Sequence, residues 1–326
     1  MRGILCTKPQ DDLSTTRLTE VDVKEPGSGE VLVRVEAVSL NPVDWKLCTG
    51  VAPWWHEPHI VGLDAAGVIE TIGAGVTGWS AGERVVWHGN LGRNGVFAEF
   101  AVTPVPVMSR IPETVIFTDA AALPCAGYTA YQGLVREARI HSGEPIVVQG
   151  ATGGSGGFAV QIAKATGLHV IALAKTEDAD WVRRLGADAV LDYRSDSLSA
   201  EIRAANCGDG ADIMFEVVNP GDARKSLDLL RYNGQLVTID PLPCLEHTPA
   251  YTYAASIHEV ALGGAYAAGH LATQCDFAAI GDEMLSLMAD GTLDSMITET
   301  LQFEEIPSAL HRLRQRQVKG KIVAVV

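Results

Sequence analysis

Apolar and polar side chains alternate along Glu30-Val-Leu-Val-Arg-Val-Glu-Ala-Val38, the pattern of a strand with one face in a core. Gly62 to Val86 is dense in glycine and valine, and Ala81-Gly82-Glu83 reads as a turn ahead of another strand. Phe97–Val102 and Val105–Met108 continue the β character, so residues 1 to about 120 read as short strands and turns. From about residue 122 the rhythm changes. Strands are predicted at 146–149, 170–174, 189–192, 212–218 and 235–239, with helical patterns near 155–166, 177–185, 196–205 and 221–231 between them. Such alternation implies a parallel sheet with helices on both faces. Asn233-Gly234 is predicted to stop the last of these helices. The remainder reads as a strand near 258–266, helices at 277–290 and 307–316, and a closing strand at 320–326.

One stretch in this alternation carries chemistry. Ile146-Val-Val-Gln-Gly-Ala-Thr-Gly-Gly-Ser-Gly-Gly-Phe158 is an apolar strand that runs into a glycine-rich turn and then directly into a helix. Backbone N–H groups at such a helix start face a pyrophosphate, and the helix dipole favours its negative charge. Gly150 permits the tight turn, Gly153 and Gly154 let the backbone approach phosphates, and Gly156 lets helix and strand pack closely. Thr152 and Ser155 complete the candidate cofactor-binding turn. No Gly-Lys-Ser/Thr follows, so a nucleoside-triphosphate loop is excluded.

The second strand of the alternation ends at Ala174-Lys175-Thr176, where sites selective for the unphosphorylated dinucleotide carry an acid for the ribose 2′-hydroxyl. Without that acid nothing repels a 2′-phosphate, and Lys175 or Thr176 could bind one. NADPH is therefore expected over NADH.

At 326 residues the chain is long enough for two domains, and 47% hydrophobic content supports well-formed cores. A net charge of −15 argues against nucleic acid or an anionic membrane surface as a partner. The first residues lack the apolar core of a secretory signal, and the most apolar later stretch, 260–272, is short and glycine-rich. A cytoplasmic location is expected, with the six widely spaced cysteines as reduced thiols. No Cys-x-x-Cys occurs that would mark a structural zinc knot. The segment Trp54-Trp-His-Glu-Pro-His59 reads as an amphipathic loop lining or capping a cleft rather than as a metal site.

Several further segments carry a family resemblance: Asn41-Pro-Val-Asp-Trp-Lys46, Val61-Gly-Leu-Asp-Ala-Ala-Gly-Val68, Gly73–Val85, Gly95-Val-Phe-Ala-Glu-Phe100, Ala121–Tyr131, Leu185-Gly-Ala-Asp188 and Lys319-Gly-Lys-Ile-Val323. With the glycine-rich turn, and in this order, they resemble the medium-chain dehydrogenase/reductase superfamily, in its zinc-independent quinone oxidoreductase and enone reductase branch. The resemblance implies an α/β fold with a GroES-like, β-rich catalytic domain and an inserted Rossmann domain. The expected boundaries are 1–121 for the first part of the catalytic domain, 122–266 for the cofactor domain and 267–326 for the return.

The resemblance also assigns roles. Zinc-dependent members hold their metal at positions occupied here by Asn41, Leu63 and Cys125; an amide and an alkyl chain leave too few ligands, so no metal is expected. Lys46 is implied to lie near the nicotinamide and the substrate carbonyl, and Asn41 to orient ribose or substrate. Thr129, Tyr193 and Arg316 are implied cofactor contacts, the last two near the adenosine phosphate. Asp44, Trp45, Trp54 and Trp55 are candidate pocket residues. The expected activity is hydride transfer from NADPH to a quinone or α,β-unsaturated carbonyl. Its rivals are reduction of simple aldehydes or ketones, and a non-enzymatic NADPH-binding protein with a structural or nucleic-acid-binding role. A homodimer is a further expectation of the family, through the strand near 258–266.

Overall fold

The computed structural model describes residues 1–7, 12–51, 55, 58–206, 208–218, 223–239, 241–246, 248–249 and 251–326. The chain divides into two units. One comprises Met1–Tyr128, Leu262–Gly291 and Ser295–Val326; the other comprises Thr129–Ala261 and Thr292–Asp294.

The first unit is built on the long strand Glu30–Leu40, which pairs antiparallel with Asp64–Ile72, Phe100–Pro104 and the closing strand Lys321–Val325. Asp64–Ile72 passes the sheet on to Arg84–His88 and Met108–Arg110, and Ile297–Gln302 lies parallel to the closing strand. A smaller sheet joins Arg2–Cys6 to Thr16–Glu20 and His59–Ile60. Val31, Val33, Val35 and Ile322 pack with Phe97, Trp87 and Leu310 in one buried core, as the alternation along the long strand requires. The register Ile322↔Leu40 and Val323↔Ser39 brings the last residues of the chain beside the segment that starts at Asn41.

The second unit is a parallel sheet in the order 189–191, 169–173, 145–149, 211–216, 230–238, 256–259. By chain position this order is 3-2-1-4-5-6, the doubly wound arrangement that binds dinucleotides where the strand order reverses. The reversal lies at Pro145–Gln149, whose neighbours are His169–Leu173 on one side and Ala211–Glu216 on the other. Val147, Ile171, Met214 and Leu236 form its core with Leu227 and Ile202 from two covering helices.

Three local expectations need correction. The helix expected over 221–231 is Ala223–Leu227, and a strand has begun by Leu230. Leu230 pairs with Ala211 but Gln235 pairs with Ile213, so the residues between bulge out of the ladder. Asn233 takes its φ of +63° inside that bulge, not at a helix end. The strand expected at 258–266 is the shorter Ser256–Glu259, followed by the helix Leu262–Ala267. Leu262 and Ala265, three apart, are the buried pair of that helix. Gly263 lets it approach Leu91, since a Cβ there would fall 2.9 Å from the leucine side chain. Finally, Val105–Val107 is a short helical turn, and the strand starts only at Met108.

Candidate active site and cofactor cradle

In the second unit the strand Pro145–Gln149 ends at Gly150, which has a φ of +76°. The turn closes with Gly153 N–H donating to the Gly150 carbonyl at 2.9 Å, and the helix runs from Gly154 to Ala165. A Cβ on Gly156 would stand 2.1 Å from the Gly150 carbonyl oxygen, and one on Gly150 2.7 Å from Val218. Both positions are closed to any side chain. Gly153 at the N-cap brings no capping side chain, so the turn is floored by bare backbone at a helix start. These residues fit the pyrophosphate of a dinucleotide. Thr152 and Ser155 are half-buried on the same turn, and Thr129 is buried in the helix Thr129–Tyr131.

At the tips of the second and third strands, Thr176 Oγ1 donates to Asp192 Oδ2 at 3.3 Å, which ties two loops together. Lys175 Nζ lies 3.9 Å from Glu177. Tyr193 is exposed. Arg194, which is not among the residues expected from sequence, grips Asp192 through Nε at 2.9 Å and Nη2 at 2.6 Å and lies 4.0 Å from Glu177. This guanidinium holds the Asp192 carboxyl below the usual range, with the backbone N–H of Arg194 assisting. A basic side chain just past Tyr193 was the available signal. Arg316, with a φ of +56°, follows the helix Ile306–Arg314 in the first unit, whereas Lys175 and Tyr193 belong to the second.

In the first unit Asn41 ends the long strand and opens the helix Pro42–Lys46, where Pro42 has the preset φ that a first helical position requires. Its backbone N–H donates to Asp44 Oδ2 at 2.6 Å, so Asp44 ties down the start of its own helix. Asp44 is fully buried, its Oδ1 has no hydrogen-bond partner among the described residues, and burial pushes its carboxyl well above the usual range. The Asn41 amide is engaged on both sides. Nδ2 donates to Asp64 Oδ2 at 2.7 Å and to the Ser39 carbonyl at 3.3 Å, while Oδ1 accepts from Lys321 Nζ at 2.7 Å. The Lys321 side chain is 2% exposed and its ammonium lies 3.9 Å from Asp64. Asp64 is also fully buried, and Oδ1 accepts the Cys125 N–H at 2.9 Å. Burial lifts its carboxyl to about 7 against the opposing pull of Lys321 and Asn41.

Lys46 is exposed at the end of its helix, and its ammonium has no partner among the described residues. It forms no ion pair with Asp44, whose carboxyl group is turned inward to Asn41. Trp45 is half-buried under the Arg314 guanidinium, 5.7 Å from its ring. Trp55 stacks on His59 at 4.0 Å and donates from its indole to the Leu91 carbonyl at 2.8 Å. Trp54 lies outside the described residues.

Sequence reasoning overlooked Asp64, Lys321 and His88. At the metal-ligand positions of zinc-dependent relatives, Asn41 and Leu63 offer no suitable donors, and Asn41 already holds an ammonium ion. A zinc ion bound in that way does not fit this chain.

Two family models match the chain, the alcohol dehydrogenase GroES-like domain over residues 27–113 and the zinc-binding dehydrogenase over residues 154–262. A chloroplast envelope quinone oxidoreductase homolog of Arabidopsis thaliana is 37% identical, over 69% of this chain and 70% of its own length. The chain belongs to the medium-chain dehydrogenase/reductase superfamily, in its quinone oxidoreductase branch. The quinone oxidoreductase of Pongo abelii is 31% identical over 72% of each chain. Among solved structures, an alcohol dehydrogenase superfamily protein from Novosphingobium aromaticivorans superposes with a TM-score of 0.89 at 27% identity. That match covers 100% of this chain and 99% of the other. A mycobacterial protein solved with NADPH shares the fold, with a TM-score of 0.88 at 24% identity and 100% of each chain covered.

Proposed function

We propose that the chain is an NADPH-dependent, metal-free reductase that acts on a quinone or an α,β-unsaturated carbonyl compound. The observation that carries this reading is the polar cluster of the first unit, in which the Asn41 amide, at a metal-ligand position of zinc-dependent relatives, is taken up by Lys321 and Asp64. NADPH, when bound, supplies the hydride. The chain's own contribution is to hold the cofactor and to meet the charge that develops on the acceptor.

The glycine cradle would take the pyrophosphate through Gly153, Gly154 and Ser155. Lys175, Thr176, Tyr193 and Arg194 would take the 2′-phosphate, and no acid ends the second strand to repel it. Arg316 is a further phosphate contact in this proposal. When an enone is reduced at its β-carbon, negative charge gathers on the carbonyl oxygen, and the unpartnered Lys46 ammonium is suited to meet it. Asn41 is held too firmly by Asp64 and Lys321 to move freely, so its role is to fix the helix that carries Lys46. Trp45 and Trp55 supply apolar wall, and Asp44 locks the loop rather than touching substrate. The final proton on the α-carbon can come from water, so no dedicated acid is required. The partner is a small molecule. No described helix is long and apolar enough to cross a membrane.

The test is a panel of quinones, short enones and saturated aldehydes, each with NADPH and NADH in parallel. The reading expects NADPH oxidation with quinones or enones, and a higher kcat/KM for NADPH than for NADH. Turnover confined to saturated aldehydes would replace it with carbonyl reduction. Tight NADPH binding with no acceptor at all would favour a non-enzymatic role.

A further inference from the structure

A second set of side chains in the first unit could ligate a metal, and it shares only Cys125 with the ligand positions of zinc-dependent relatives. Asp64, His88 and Cys125 each offer one ligand atom, and the three atoms lie within 4.8 Å of one another. Two strands impose this, because Asp64 and His88 sit directly opposite in the ladder between Asp64–Ile72 and Arg84–His88. Cys125 is fastened to the same carboxylate by its backbone N–H, 2.9 Å from Asp64 Oδ1.

The imidazole of His88 is an independent sign. It is 2% exposed, yet its Nδ1 has no hydrogen-bond partner among the described residues. The Gly89 backbone interacts with the ring, Tyr266 and Phe277 pack on it at 6.1 and 6.2 Å, and the Tyr266 hydroxyl donates to the His88 backbone carbonyl. Buried ring nitrogens are ordinarily paired. A carboxylate oxygen, an imidazole nitrogen and a thiolate sulfur together form a donor set that zinc or cobalt accepts, with a fourth position left over.

Two cations act on this set: the exposed Lys46, which reaches Cys125 electrostatically, and the buried Lys321, which is the nearer to Asp64. The Lys321 ammonium is buried, 3.9 Å from Asp64 Oδ2, and is anchored at 2.7 Å by Asn41. A divalent cation on Asp64 would share one carboxylate with a fixed positive charge in a region closed to water, where like charges are poorly screened. We infer that Lys321 is a resident cation that keeps divalent metal out of a latent three-ligand pocket formed by Asp64, His88 and Cys125. Loss of the lysine charge would open the pocket. Metal binding would then release the Cys125 proton to solvent as the thiolate forms a bond to the ion. The inference does not depend on which acceptor the enzyme reduces, and its readout involves neither NADPH nor turnover.

The experiment titrates the full chain with cobalt(II) under reducing conditions after dialysis against a chelator. Bound metal is measured by equilibrium dialysis, and thiolate coordination by the sulfur-to-cobalt absorption band. Wild type should bind no stoichiometric cobalt and show no band, and Lys321→Arg should behave alike because it keeps the charge. Lys321→Gln, which retains an N–H donor for Asn41, should bind about one equivalent and show the band. Adding Cys125→Ser should abolish the band. If Lys321→Gln does not fold, Lys321→Met carries the same expectation. A sulfur-to-cobalt band in the wild type, or none in a folded charge-removed variant, would overturn the inference.

Discussion

Two side chains bear much of the functional argument, and each yields a measurable expectation. Lys46 has an ammonium without a partner among the described residues, on an exposed helix end, so Lys46→Met should lower kcat with enones by about tenfold to a thousandfold, the loss of one charge-stabilising donor, while the NADPH Kd changes little. Steady-state kinetics with a separate cofactor titration check this, and unchanged kcat removes Lys46 from the mechanism. Arg194 pairs with Asp192 at 2.6 Å and lies 4.0 Å from Glu177 at the strand tips. Arg194→Ala removes a charge-assisted partner and bares two carboxylates, so the Kd for NADPH should rise about tenfold or more while that for NADH stays nearly constant. An equal change for both cofactors would show that Arg194 does not read the 2′-phosphate. Local chemistry of this kind was partly legible in the sequence. The absent acid after the second strand and the lysine after Asn41 could be read from neighbouring residues. The Lys321–Asn41–Asp64 contact could not, because it depends on which strand the last residues of the chain pair with.

At the scale of elements, the glycine-rich turn was the most legible feature because strand, turn and helix are contiguous in sequence, and the backbone accounts for its glycines. Gly156 has no room for a methyl group against the Gly150 carbonyl. Gly156→Ala should therefore shift the helix start, cost about 1–3 kcal/mol of stability as an overpacked contact does, and weaken NADPH binding. Denaturant unfolding and cofactor titration of the same preparation test both effects; normal affinity would mean that the turn does not cradle the cofactor. Elements whose identity depends on packing were read less well. Gly263-Gly264 looked like part of an apolar strand, but small residues there let a helix approach Leu91. Asn233-Gly234 looked like a helix stop, although a register shift in a parallel ladder uses the same positive φ.

For the whole molecule, the sequence reading divided the chain at 121/122 and 266/267, whereas the described units divide near Tyr128 and Ala261. Pattern alone marks where one rhythm yields to another, and only packing assigns the residues at the seam. The strand Ser256–Glu259 lies at the edge of the parallel sheet, with an open row of backbone groups. A homodimer that pairs this edge should dissociate when Ile257→Pro removes an N–H donor on the outward side, opposite the inward-facing Val260 N–H, as sedimentation would register; an unaltered dimer would place the interface elsewhere. The central claim is that this enzyme delivers hydride without a metal, and chelation tests it most directly. After exhaustive dialysis against a strong chelator, the rate of NADPH oxidation with the preferred quinone or enone should match that of untreated protein. A lost rate that returns on adding zinc would contradict it.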